Sequence, residues 1–298
     1  MENPTPDRPR GIVPCAPGDA PITVAVTRGE LVESRHGVDA VVVDTDGRRV
    51  ARWGEVDHAV YPRSAIKPLQ ALALIETGAA DAFALDEREV ALACASHLGE
   101  PGHVETVRAW LARLGLCEDD LACGTHWPGL PQALEALLAT GAVPGPAHNN
   151  CSGKHAGMLS HVVHLAEARQ GYLDSEHPAQ VRILAAIAEM AGLEGADLAI
   201  GIDGCSAPNP ALPLAALARA FARLARPDDL APARAAACRR IARAMWAQPE
   251  MVRGRDSGNS TLLETCAGRV VAKTGAEGVY LAGIVETGLG IAVKARDG

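Results

Sequence analysis

Apolar residues alternate with period two near both ends of the chain and recur with a helical period between them. Positions 22–26 and 38–44 are β-branched runs, and a return through 48–53 follows the pair Asp46-Gly47. An Asp-Gly pair between such runs predicts a β-hairpin, because its tight turn needs positive φ at the central residues. The style returns at 279–286 and 289–294, broken at Gly288. Helical spacing predicts helices over 68–78, 86–95, 101–115, 131–140, 152–169, 178–191, 213–225, 230–246 and 257–266. Pro178 suits a first helical turn, where an amide hydrogen has no partner to lose, and Gly78, Gly141 and Gly192 suit helix ends. One further strand, 197–203, precedes GCSAPNPALP.

Strands therefore come from both ends of the chain and helices from between. The expected fold class is α+β (mixed α/β), with a largely antiparallel sheet, helices on its faces and a helical region to one side. The expected organisation is a flexible tail over 1–20 and a single domain over 21–298. Its sheet comes mainly from 21–60 and 267–298, its helices mainly from 64–266. No G-x-G-x-x-G follows a strand and no P-loop occurs, which argues against a nucleotide fold.

Composition narrows the function classes. The chain has 298 residues, 48% apolar but only 3% aromatic, so its core must be closely packed Ala, Leu and Val. A net charge of −8 with scattered arginines gives no nucleic-acid surface. No apolar run approaches the roughly 20 residues of a membrane span. The first 21 residues contain no apolar segment of the kind a secretion signal needs. The expected location is the cytoplasm, where the 8 cysteines read as thiols rather than a disulfide framework. Cys117, Cys123 and His126 lie close in sequence but fit no zinc spacing, and read as structural.

Lysine is scarce. It occurs only at Lys67, Lys154, Lys273 and Lys294, and every other basic residue is arginine. Arginine suffices for a permanent charge, whereas lysine can lose its proton when its environment lowers its pKa. Three of the four lysines stand beside reactive groups. Ser64 precedes Lys67 by three residues at a helix start, where i and i+3 share a face; a nearby base would activate the hydroxyl. An N-cap serine followed by a solvated lysine is the ordinary alternative. Lys273-Thr274-Gly275 opens a C-terminal hairpin, and S-x-x-K with K-T-G are two parts of the penicillin-recognising set. Ser96-His97 stands where that set has its middle serine, but the S-x-N triplet is absent because position 98 is Leu. Cys151, Lys154 and His155 crowd one helix start, and Asp203 and Cys205 follow a strand. Two thiolates could hold a soft metal there, and a reduced core cysteine pair is the alternative.

Together RSAIKPLQALAL, CASHLGEPGHVETVRAWLARLGL, CGTHWP, HNNCSGKHAGML, GIDGCSAPNPALPL and AKTGAEGVY resemble the thermolabile, rhizobial-type L-asparaginases of the asparaginase II family, from about residue 22 to the end. The resemblance implies hydrolysis of L-asparagine to L-aspartate and ammonia without an organic cofactor. It implies a fold similar to serine β-lactamases and glutaminases, and a homodimer. It implies two serine–lysine tandems, Ser64 with Lys67 and Ser96 with Lys273, and Asp203 as a nearby acid that helps hold the site; Arg63, His155, Asp203 and Thr274 are the candidate substrate contacts. It also implies zinc held by Cys151, Lys154 and Cys205. Which serine is the nucleophile stays open. So do a glutaminase, β-lactamase or D-peptidase activity on the same scaffold, and a non-catalytic role. Related chains continue into a C-terminal helix, whereas this sequence ends at IAVKARDG, so a truncated or differently packed end is expected.

Overall fold

The computed structural model describes residues 16–195 and 197–298. Most of the expected tail lies outside them. One antiparallel sheet is built from β1 (Ile22–Arg28), β2 (Leu31–Val43), β3 (Arg49–Trp53), β4 (Val270–Thr274), β5 (Val279–Ile284) and β6 (Leu289–Ala295). Its order is β1–β2–β6–β5–β4, and β3 pairs with the later half of β2. Both chain ends therefore meet in one sheet, as the period-two runs predict. The β2–β3 turn is fixed by its own residues. Asp44 Oδ1 accepts the amides of Asp46 and Arg48, and Gly47 takes φ +85°. β1 stands where the run at 22–26 predicts it, but the first half of β2 was not legible: β2 begins seven residues before the apolar run at 38–44, and residues 31–35 are exposed.

The helices used below are α1 (Lys67–Gln70), α2 (Glu87–Ala93), α3 (Pro101–Arg113), α4 (Ser152–His164), α5 (Pro178–Ala191), α6 (Leu214–Ala225), α7 (Pro232–Ala247) and α8 (Gly258–Thr265); a further helix at Pro131–Ala139 and several short helical turns lie between them. Helix α2 starts on a capping box in which Asp86 accepts the Arg88 and Glu89 amides and Glu89 returns a bond to the Asp86 amide. Helix α6 lies across β2, β5 and β6 with Leu214, Leu217 and Phe221 turned inward. Two glycines make that approach possible. Gly283 and Gly290 are direct partners across β5 and β6. A Cβ would lie 2.1 Å from Phe221 O on the first and 1.8 Å from Ala218 O on the second. The core is thus dense with few aromatics, and Trp110 is its largest fully buried side chain.

Three expected elements differ. The helix over 68–78 is two short helices, Lys67–Gln70 and Leu72–Glu76, after a 3₁₀ turn at Arg63–Ile66. The chain tightens at the join, where Leu74 N donates to Ala71 O, an i→i+3 bond. The helix over 152–169 stops at His164, where Ala166 takes φ +52°. The strand over 197–203 shrinks to Ile200–Ile202 and pairs only with Pro208–Pro210, outside the main sheet. Prolines at both ends of that partner have no amide hydrogen with which to extend a ladder. At the C-terminus Arg296 closes on buried Asp39 through both carboxylate oxygens and donates its amide to Gly37 O. No described helix is long and apolar enough to cross a membrane.

Candidate active site

Four segments converge beside the free edge of β4. The Arg63–Ile66 turn carries Ser64 and runs directly into α1 with Lys67. Arg63 sits at φ +51°, a strained region for a residue with a Cβ, and this sets the direction of the turn. Ser96 follows α2 in an extended segment pinned by its own amide to Val252 O. Lys273 comes from β4, and α4 supplies Cys151, Lys154 and His155 near its start.

Both lysines reach the same serine. Lys67 Nζ lies 3.1 Å from Ser96 Oγ, and Lys273 Nζ lies 3.1 Å from it on another side. Lys67 also donates to Ala95 O at 2.5 Å and Asn150 O at 3.4 Å. Its three acceptors match the three hydrogens of an ammonium. Lys273 has one further acceptor, Thr274 O, at 2.7 Å. Both amines are buried, as is Ser96. Burial holds the Lys273 amine well below the usual lysine pKa, and the charges of Lys67 and Arg253 push the same way. Ser64 is half-buried, and its hydroxyl makes no hydrogen bond to another described residue. The expected pairing of Ser64 with Lys67 is therefore absent from this geometry: Lys67 turns to Ser96, drawn by two backbone carbonyls on the same side.

The other expected site residues lie around this centre. Arg63 Nε donates to Asp203 Oδ1 at 2.8 Å, and Glu277 stands 3.6 Å from its guanidinium. Burial opposes the charge on Asp203, but Arg63 and the Gly204 amide hold its carboxyl below the ordinary value. Both of those bonds fall on Oδ1. His155 is buried, and its Nδ1 is 2.6 Å from the hydroxyl of Tyr172. Tyr172 accepts the Ala122 amide and has its own proton to give the imidazole; in that tautomer Nε2 carries a hydrogen with no partner among the described residues. Burial keeps this ring neutral, helped by the nearby lysine charges. Thr274 N is held by Asn259 Oδ1 at 2.9 Å. Tyr172, Arg253 and Asn259 carried no signal in the sequence, because no local spacing ties them to the serine and lysine motifs.

Lys154 Nζ lies 3.0 Å from Cys205 Sγ, and Cys151 Sγ donates to Asn150 Oδ1 at 3.0 Å. The Cys205 side chain beside it pushes the Cys151 thiol well below its usual value against the effect of burial, and the Lys67 and Lys154 charges push the same way. Burial works against a charge on Lys154, but the Cys151 and Cys205 thiols raise its pKa. Among the described residues no group of three or more His, Cys, Asp or Glu is placed to hold a metal. A metal here would need Lys154 as its third donor.

A sequence model described as L-asparaginase II matches residues 24–298. The chain belongs to the L-asparaginase II family. This asparaginase-family chain is thereby placed among amidohydrolases. No curated protein sequence matches it. Among solved structures, Mglu in its native form at 4.3 M NaCl is similar at 15% identity and a TM-score of 0.46 over 87% of this chain. Mglu in its tris and glutamate form gives 15%, 0.41 and 95%. A β-lactamase from Mycobacterium bovis gives 17%, 0.43 and 88%. The chain spans 56% and 58% of the two Mglu chains and 88% of the β-lactamase.

Proposed function

We propose that this chain hydrolyses L-asparagine to L-aspartate and ammonia, with Lys273 as the base and Ser96 as the hydroxyl it activates. The observation that carries this reading is the convergence of two lysine amines on Ser96 Oγ, each at 3.1 Å. A neutral Lys273 amine can accept the Ser96 proton while Lys67 donates to the same oxygen. Ser96 Oγ then bonds to the side-chain amide carbon of the substrate. The C–N bond breaks as Lys273 returns the proton to the leaving nitrogen, and ammonia departs. Water hydrolyses the ester with the same amine as base, restoring Ser96. Arg63 and Asp203 suit the two charges of an amino acid, a guanidinium for its carboxylate and Asp203 Oδ2 for its ammonium. The unpartnered Nε2 hydrogen of His155 and the Thr274 hydroxyl are further substrate donors in this reading.

One observation favours a second order of events. Ser64 is more exposed than Ser96 and has no partner to lose. Ser64 would then attack, and Ser96 would relay its proton to Lys273. Peptide mapping of the acyl-enzyme trapped on asparagine separates the two. An ester on Ser64 overturns the first order, and near-full turnover by Ser96→Ala removes Ser96 from both. Parallel assays on asparagine, glutamine and nitrocefin test the substrate, since one methylene changes preference by only about 1–3 kcal/mol. Binding of asparagine without ammonia release would leave a non-catalytic protein. A homodimer belongs to the same reading, and a monomer in analytical ultracentrifugation removes it.

The donor set fits a soft cation such as zinc on one condition, loss of the Lys154 proton. Cys151 is already disposed to be a thiolate, and Cys205 lies beside it. Zinc held by Cys151, Lys154 and Cys205 would supply a fixed positive charge near the Asp203 carboxylate.

A further inference from the structure

Asn259 is 4% exposed in the first turn of α8, against the free edge of β4. Its Oδ1 accepts the Thr274 amide at 2.9 Å, an outward-facing N–H that the β4–β5 ladder does not use. The other face of the same residue matters to the reaction: Thr274 O accepts the Lys273 amine at 2.7 Å. One side chain thus fixes the Thr274 backbone, and that backbone holds the amine that reaches Ser96. The amide can sit only one way round, because Oδ1 must face the Thr274 N–H. Its Nδ2 is buried and has no partner among the described residues.

We propose that Asn259 is a positioning residue for Lys273: it ties the edge of β4 at Thr274 and so aims the Lys273 amine at Ser96, and its lack of charge is part of that task. This rests on the reading of Lys273 as the base. An aspartate would keep the same acceptor for Thr274 and lose no bond at Nδ2, since Nδ2 makes none. It would also put a carboxylate on the Thr274 backbone that holds the Lys273 amine, and that amine must be neutral to work. The charged or titratable groups that face Lys273 now are Lys67, Arg253, Cys151 and Cys94. The cations among them disfavour a proton on Lys273, and a buried carboxylate would oppose them.

The test uses the scarcity of lysine. Protein labelled with 13C at lysine Cε has resonances from only Lys67, Lys154, Lys273 and Lys294. In N259D the Lys273 resonance should titrate at least about one pH unit higher than in wild type, while that of Lys294 stays in place. The acid limb of kcat/KM on asparagine should move by the same amount. N259A should lower kcat on the order of 10-fold across the whole profile without moving it. Superimposed Lys273 titrations in wild type and N259D, or wild-type kcat in N259A, overturn the proposal. If N259D does not fold, N259S, which is too short to reach Thr274, replaces it, with the kcat loss expected and wild-type kcat fatal. The resonance titration needs no turnover. A wild-type protein that releases no ammonia would sink the catalytic reading and leave the anchoring of Lys273 separately measurable.

Discussion

Gly275→Ala would force apart the serine turn and the end of the Lys273 strand. Gly275 follows β4 with its Cα against that turn. A Cβ there would lie 2.6 Å from Pro62 O, 3.1 Å from Ala65 N and 3.2 Å from Ala65 Cβ. Two of the three are backbone atoms, and Pro62 O already accepts the Ala65 amide at 3.1 Å, so no flexible side chain can swing away. Ordinary contact begins at 3.4 Å, so the two segments must part by about 0.8 Å. Overpacking of this kind costs about 1–3 kcal/mol. The retreat also carries Lys67 away from Ser96 Oγ, which it now meets at 3.1 Å. A misplacement on the order of 1 Å at reacting groups costs up to about 100-fold in rate. The expected result is a fall of about 10- to 100-fold in kcat/KM on asparagine, mostly in kcat, with a lower urea midpoint. Ammonia release under saturating asparagine and a urea titration read the two effects. Turnover within a factor of about two of wild type, at an unchanged midpoint, would show that this contact does not set the geometry of the site.

Lys273→Arg keeps the positive charge but cannot give up a proton, so kcat should fall by about 10²–10⁴-fold while the melting curve changes little; retained turnover excludes Lys273 as base. Burial lowers the pKa of His161 to about 3, so the native ring stays neutral where an unfolded one, near 6.5, binds a proton. The unfolded state then binds more protons below about pH 6.5, and stability is lost as pH falls from there toward about 3. His161→Gln should recover about 2 kcal/mol of the loss seen at about pH 5, and equal losses in both proteins would refute the assignment. Protein purified with zinc present should retain the metal by elemental analysis and lose it in Cys205→Ala; a metal-free wild type with unchanged kinetics on adding zinc removes the metal from the reading. Gly290→Ala should destabilise more than Gly275→Ala in a urea titration, because its Cβ would meet Ala218 O at 1.8 Å within the helix that covers the sheet.

The sequence alone determined the features whose causes are local. The Asp46-Gly47 turn forms because residues within the five positions 44–48 satisfy one another. Pro178 and Gly192 bound α5 because each suits one helix end and no other. The arrangement of strands at the ends and helices between followed from two hydrophobic periods, and three of the four lysines marked the candidate site because arginine cannot lose its charge. Tertiary structure alone decided which groups touch. Lys67 and Ser96 are 29 positions apart, and Lys273 and Ser96 are 177 apart, so no spacing rule could choose between Ser64 and Ser96 as the partner of Lys67. That choice was made by backbone carbonyls at Ala95 and Asn150, which exist in every residue and so leave no trace in a sequence. The roles of Gly275, Gly283 and Gly290 were equally silent, because a missing side chain matters only when another segment fills its place.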